Sequence, residues 1–116
     1  MSALPQTPPL QAQPVADGTL VRFPCADFDE LTTNGLTDAL YDLALSQGQP
    51  SLYLDLDDVQ YLASITMGRL IVLDKRLRDA GGRLHLCNLN RQVYDVFRVS
   101  RLTLLLDVRP KDHVVH

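Results

Sequence analysis

The stretch SLYLDLDDVQYLASITMGRLIVLDKRLRDAGG, Ser51 to Gly82, decides the fold. It opens with Leu52, Leu54 and Leu56 alternating with Tyr53 and Asp55, the period-two pattern of a strand. Apolar side chains on both sides of Ser51–Leu56 predict a sheet covered by helices. Asp55, Asp57 and Asp58 form a polar exit, the chain turns through Val59–Leu62, and from about Ile65 to Asp79 the spacing becomes helical. Thr66, Leu70, Leu73 and Leu77 make the inward stripe, with Met67 and Ile71 beside it and Arg69, Lys75, Arg76 and Asp79 outside. Gly81-Gly82 stops the helix.

Toward the C-terminus, Arg83–Cys87 reads as the next strand. Asn90 caps a short third helix with Val93, Val96 and Phe97 inward, and Leu89 and Tyr94 are placed for a hydrophobic staple. Leu102–Val108 fits a closing strand or a helix equally well. Toward the N-terminus, Leu36, Ala39, Leu40, Leu43 and Ala44 recur at helical spacing while Asp38 and Asp42 point away. Thr33 or Asn34 can cap that helix, and Gly48 with Pro50 stops it. Asp17-Gly18 is a hairpin signal joining an edge strand near Leu10–Val15, where Pro14 is tolerable, to one at Thr19–Phe23. Residues 1–14, with four of the seven prolines, read as a mobile Pro/Gln-rich tail, residues 15–110 as one domain, and 111–116 as a polar tail. Alternating strands and helices imply an α/β fold with parallel neighbours and right-handed crossovers.

The chain has 116 residues, 46% hydrophobic and 22% charged, as one globular domain requires. A net charge of -3 without a basic stripe argues against nucleic-acid binding. Cys25 and Cys87 stand far apart in no C-x-x-C pattern and read as small apolar residues of a reducing compartment. No run reaches the roughly 20 apolar residues that cross a bilayer. The start lacks the pattern of a secretory leader, so the cytoplasm is the expected location.

Three histidines, His85 in a strand and His113 and His116 near the C-terminus, offer no arrangement for a Ser-His-Asp triad. The Asp55, Asp57, Asp58 cluster could hold a cation, but such a run is more often a polar strand exit. No Gly-rich phosphate loop precedes a helix. The residues therefore predict a binding module and not an enzyme, with no catalytic, metal or cofactor site. Ser64 stands where a strand gives way to a helix. It reads as an N-cap, and the same physics suits a phosphate there, because unpaired N–H groups and the positive helix end attract an anion.

The order of these features resembles the STAS domains, whose bacterial single-domain members are anti-sigma factor antagonists. The resemblance runs from about Thr19 to Val108. It rests on Leu52–Leu56 with Val59 and Tyr61, the serine-containing turn, Met67-Gly68 with Leu70, then Leu77, Gly81-Gly82-Arg83-Leu84, Leu86-Cys87, Val93, Val96-Phe97 and Arg101-Leu102. It implies a mixed sheet of four to five strands flanked by three to four helices. It also implies a serine at the start of the second helix, by position Ser64, phosphorylated by a switch kinase that is itself an anti-sigma factor. The unphosphorylated antagonist binds that kinase and frees the sigma factor. The implied contact surface is Asp58, Ala63, Ser64, Ile65, Gly68, Arg69 and Val72, with Gly68 and Val72 an unusually uncharged outer strip. The family motif places Asp, a small residue and Gly where this chain has Ala63, Ile65 and Thr66. Those changes remove a carboxylate beside Ser64 and stiffen the turn. Thr66 is a second candidate acceptor, on the inward stripe. A non-catalytic adaptor subunit of a larger signalling or lipid-transport assembly is the alternative reading.

Overall fold

Leu52 and Leu54 are fully buried while Tyr53 and Asp55 stay half-buried, so the alternation separates a core face from an open one. The computed structural model describes residues 11–23, 27–28, 35–46, 48 and 50–111. Its strands are β1 (Gln11–Val15), β2 (Gly18–Arg22), β3 (Asp27–Phe28), β4 (Leu52–Asp55), β5 (Tyr61–Leu62), β6 (Leu84–Leu89) and β7 (Asp107–Pro110). Its helices are α1 (Leu36–Ser46), α2 (Ser64–Asp79) and α3 (Arg91–Val99). A mixed five-stranded sheet has the order β1-β2-β4-β6-β7, with β1 antiparallel to β2 and the other pairs parallel. β3 and β5 form a separate short parallel pair.

Register aligns Val21, Leu54 and Leu86 in one fully buried row, and Thr19, Leu52 and Leu84 in another. The buried residues of all three helices, including Leu40, Leu70, Leu77 and Phe97, join these rows in a single core. Among the described residues helices therefore cover one side of the sheet, not both as the apolar reading of Tyr53 suggested. On the other side Tyr53 stacks on His85 with ring centroids 4.3 Å apart, and the Tyr53 hydroxyl donates to Asp17 at 3.0 Å. His85 Nδ1 meets Asp107, a partner that sequence spacing did not reveal. Burial would raise the Asp107 carboxyl, but its bonds to His85 and Arg109 hold it below the ordinary carboxylate range. The polar groups on this face satisfy one another and need no helix above them.

Several boundaries move. The closing run Leu102–Val108 divides into a 3₁₀ turn (Leu102–Leu104) and β7. β6 extends to Leu89 because Asn88, at φ 61, absorbs a register shift. Val96 is 40% exposed and does not face inward, because Val93 and Phe97 already fill the buried side of this short helix. The Thr33 or Asn34 cap lies outside the described residues. Gly18 and Gly82 sit where connections nearly touch. A Cβ on Gly18 would lie 2.4 Å from the Ser51 carbonyl oxygen, and one on Gly82 would lie 2.3 Å from the Pro50 carbonyl carbon.

α2 is locked at two points. Arg76 lies over the Tyr41 ring of α1 at 4.0 Å and donates to Asp38 at 2.8 Å. Asp74, fully buried, accepts from the Leu84 backbone N–H (2.9 Å) and from Arg83 Nε (3.3 Å), which ties α2 to the start of β6. Arg78 Nε lies 3.0 Å from the other oxygen as a neighbouring charge, without a directed hydrogen bond. Removing the carboxylate leaves the buried Leu84 N–H unpaired. Asp74→Ala is therefore expected to lose about 3 kcal/mol of stability in urea unfolding. A loss of only a few tenths would deny Asp74 this role.

Cys87, on the open face, has its thiol pushed up to about 11, by burial first and by Asp55 second. Raising the pKa favours the neutral thiol, so the thiolate that attacks alkylating agents is scarce at neutral pH. Iodoacetamide labelling of Cys87 in the native chain is expected to rise with a midpoint near pH 11, against 9.0 for an unperturbed thiol. A native midpoint at the unperturbed value would contradict the burial.

Candidate functional site

The loop between β4 and α2 is anchored before the helix begins. Val59 is fully buried and its N–H bonds to the Leu56 carbonyl at 3.0 Å. β5 pairs with β3, which buries Leu62 and turns Tyr61 outward. Asn90 caps α3 as expected, with its Oδ1 accepting from the Val93 N–H at 2.8 Å. Its amide nitrogen donates to the Val59 carbonyl at 3.0 Å. One side chain thus fixes both the start of α3 and the loop that leads into α2.

The acidic cluster in this loop is already engaged. Asp55 accepts from the Asp57 N–H (2.9 Å) and the Asn88 amide (3.1 Å). Both oxygens of Asp58 face Arg22, at 3.1 and 3.2 Å. Asp57 meets Lys111, whose ammonium holds the carboxyl below its ordinary range, with Arg22 at 3.8 Å. This is a polar strand exit closed by cations. Among the described residues no group of three or more His, Cys, Asp or Glu is placed to hold a metal.

Ser64 is not the N-cap. Ala63 takes that position with φ -71 and ψ 151, because the Thr66 and Met67 N–H groups both bond to its carbonyl, at 3.0 and 3.3 Å. α2 therefore opens without a side-chain cap, and no acidic residue stands in its first turn. Ser64 is the first helical residue, exposed, with no hydrogen bond to its hydroxyl among the described residues. The positive end of a 16-residue helix lies beside it, with neither a cap side chain nor a first-turn acid to compensate it. Thr66 is fully buried, so of the two hydroxyls only that of Ser64 is open to another protein.

Ile65 (41% exposed), Gly68, Arg69 and Val72 (56%) share the outward face of α2. A groove of about 170 Å³ runs beside them between α1 and α2, lined by Thr37, Asp38, Arg69, Val72, Leu73 and Arg76. The structure thus assembles Ala63, Ser64, Ile65, Gly68, Arg69 and Val72 along one helix, while Asp58 belongs to the Arg22 pair of the preceding loop. Sequence reasoning missed two neighbours. Tyr61 (56% exposed) and Val96 (40%) flank a small groove of about 130 Å³ with Gln60 and Gln92. A buried Leu62 in period-two alternation was the available signal for Tyr61.

The sequence profile of the STAS domain matches residues 12–114. The chain belongs to the STAS domain family. Solved structures agree on the fold. An anti-sigma factor antagonist from Mycobacterium paratuberculosis is 17% identical, with a TM-score of 0.72 over 88% of this chain and 85% of that one. An anti-sigma factor antagonist STAS protein from Planctomyces limnophilus is 18% identical, with a TM-score of 0.71 over 89% and 91%. The Bacillus cell fate determinant SpoIIAA in its phosphorylated form is 18% identical, with a TM-score of 0.61 over 86% and 90%. No curated protein sequence matched. Among the described residues of this STAS domain no helix is long and apolar enough to cross a membrane.

A helix start that lacks both cap and acid should welcome negative charge. Ser64→Asp is expected to stabilise this STAS domain by about 0.3–1 kcal/mol at low ionic strength, an effect that salt erodes. Thermal unfolding at two salt concentrations measures it. A destabilised Ser64→Asp would mean that the helix end is already compensated.

Proposed function

We propose that this STAS domain is an anti-sigma factor antagonist acting in the cytoplasm. It docks on an anti-sigma factor of the serine-kinase type and is released when that kinase phosphorylates Ser64. The reading is carried by one observation, the exposed Ser64 hydroxyl, without a hydrogen bond among the described residues, at a helix start that lacks a side-chain cap and a first-turn acid, beside uncharged Ile65, Gly68 and Val72. A phosphate there would add about -1.5 to -2 charges where the fold tolerates an anion. The same charge would lie in the contact, where an apolar partner surface would have to desolvate it. The fold is left intact while the interface is lost. Asp58, Ala63, Arg69, Tyr61 and Val96 complete the proposed docking surface around Ser64.

The adaptor reading draws on Ala63 and Ile65, which supply a bulkier, uncharged approach to the serine than the family motif. One experiment separates the two. The full chain is mixed with a candidate anti-sigma kinase from the same organism and ATP, and any phosphate is located by mass spectrometry. Modification is expected at Ser64 and is lost in Ser64→Ala. Ser64→Asp is expected to weaken kinase binding about tenfold or more, about 1.4 kcal/mol. Equal binding of wild type and Ser64→Asp, with no phosphate incorporated, would leave a docking module without a switch.

A further inference from the structure

α3 and the end of β7 border a cleft of about 400 Å³, more than twice the volume of the 170 Å³ groove between α1 and α2. Small-molecule sites fall in that range. The cleft lies beyond Leu89 and Pro110, the last residues of β6 and β7. Sheets of parallel strands place their ligands outside such carboxyl ends. Arg91, Tyr94, Asp95 and Arg98 of α3 line it, with Lys111.

Arg91, Tyr94 and Arg98 recur at i, i+3 and i+7 and so share one face of α3. At 1.5 Å per residue the two arginines stand about 10.5 Å apart along the helix axis, which gives the cleft two unlike ends. Lys111 belongs to the Arg91 end, because its N–H bonds to the carbonyl of nearby Leu89 at 2.7 Å. At this end Arg91 is exposed and has no ion pair or hydrogen bond to its side chain among the described residues. The Lys111 ammonium meets Asp57 and, having three donors, keeps two more. At the other end Arg98 donates to Asp95 at 3.3 Å, a neutral pair that still offers donors and an acceptor. Between them Tyr94 is half-buried, with no hydrogen bond to its hydroxyl among the described residues.

This arrangement selects a ligand class. Three cations against one carboxylate leave the lining at +2, which matches a dianion better than a single carboxylate. A phosphate monoester carries about -1.5 to -2 charges at neutral pH. The guanidinium fork of Arg91 fits two phosphate oxygens, and Lys111 serves the third as a point charge. A ring joined to that phosphate would lie against Tyr94, and polar groups beyond the ring would meet Arg98 and Asp95.

We propose that this cleft binds a small ring-bearing phosphate monoester, with Arg91 and Lys111 on the phosphate and Tyr94 against the ring. The proposal does not rest on the function assigned to Ser64. NMR titration of the full, isotope-labelled chain with phenyl phosphate tests it. Saturation is expected near or below about 1 mM, with shifts centred on the amides of Leu89, Arg91 and Lys111. Inorganic phosphate and the Arg91→Glu variant are each expected to bind at least about tenfold more weakly. An acid in the first turn of α3 suits the helix dipole, so Arg91→Glu should unfold at or above the wild-type midpoint. Arg101→Glu changes the net charge equally, lies outside the cleft, and should bind as wild type does. Titration without saturation, undiminished binding in Arg91→Glu, or an equal loss in Arg101→Glu overturns the proposal. Inorganic phosphate binding as tightly as phenyl phosphate also overturns it, since the ring would then have no wall.

Discussion

Burial of one stripe of α2 against the leucine rows of β4 and β6 determines where its other stripe points. Thr66, Leu70, Leu73 and Leu77 are committed to the core, with at most 1% of their surface exposed. At 100° per residue the remaining positions, Ile65, Gly68, Arg69 and Val72, are left to solvent. Asp74 prevents the helix from rotating or sliding, because its carboxylate is bonded to the backbone of β6 as well as to Arg83. The candidate surface is thus a by-product of core packing. It is as rigid as the core, and a partner that reads it need not order it first.

Charge arrangement near the helix start follows a similar economy. Three aspartates precede α2 within ten residues, which in sequence looks like a strongly acidic approach. In the fold Arg22 and Lys111 neutralise Asp58 and Asp57, and Asp55 is occupied by two N–H donors. Ala63 adds no charge. The helix therefore opens with no side-chain cap and no acid in its first turn to offset its dipole. A STAS domain with a carboxylate at the cap would already have used part of that field.

Much of this was legible in the chain. Period-two leucines placed β4, the Asp17-Gly18 signal placed the β1–β2 hairpin one residue late, since Ala16 and Asp17 make the turn and Gly18 pairs with Val15, and the inward stripe placed α2 to within a residue. The errors have physical causes. The helix begins one residue early because the cap is set by backbone angles, and an alanine can adopt them as well as a serine. β3 and β5 are two residues each, too short to show a period. Tyr53 was read as apolar cover for a second helix layer, whereas its hydroxyl and ring are spent on Asp17 and His85. The His85–Asp107 contact joins residues 22 positions apart and depends on strand order, which local pattern does not encode. Asp74 is a charge inside an apolar stripe, and only its partners on β6 explain it.

The paired close approaches at Gly18–Ser51 and Gly82–Pro50 sit at the N-terminal ends of β2, β4 and β6. Three chain passages are wedged together there, with backbone against backbone and no room for a single methyl group. Those two crossings leave no slack in the connections that make them. Extra residues are accommodated more readily where the strands finish, above the sheet and around the opening of α2. Any lengthening of the connections that arises in such a chain would therefore collect around Ser64, where it would reshape what the domain can touch without disturbing how it folds.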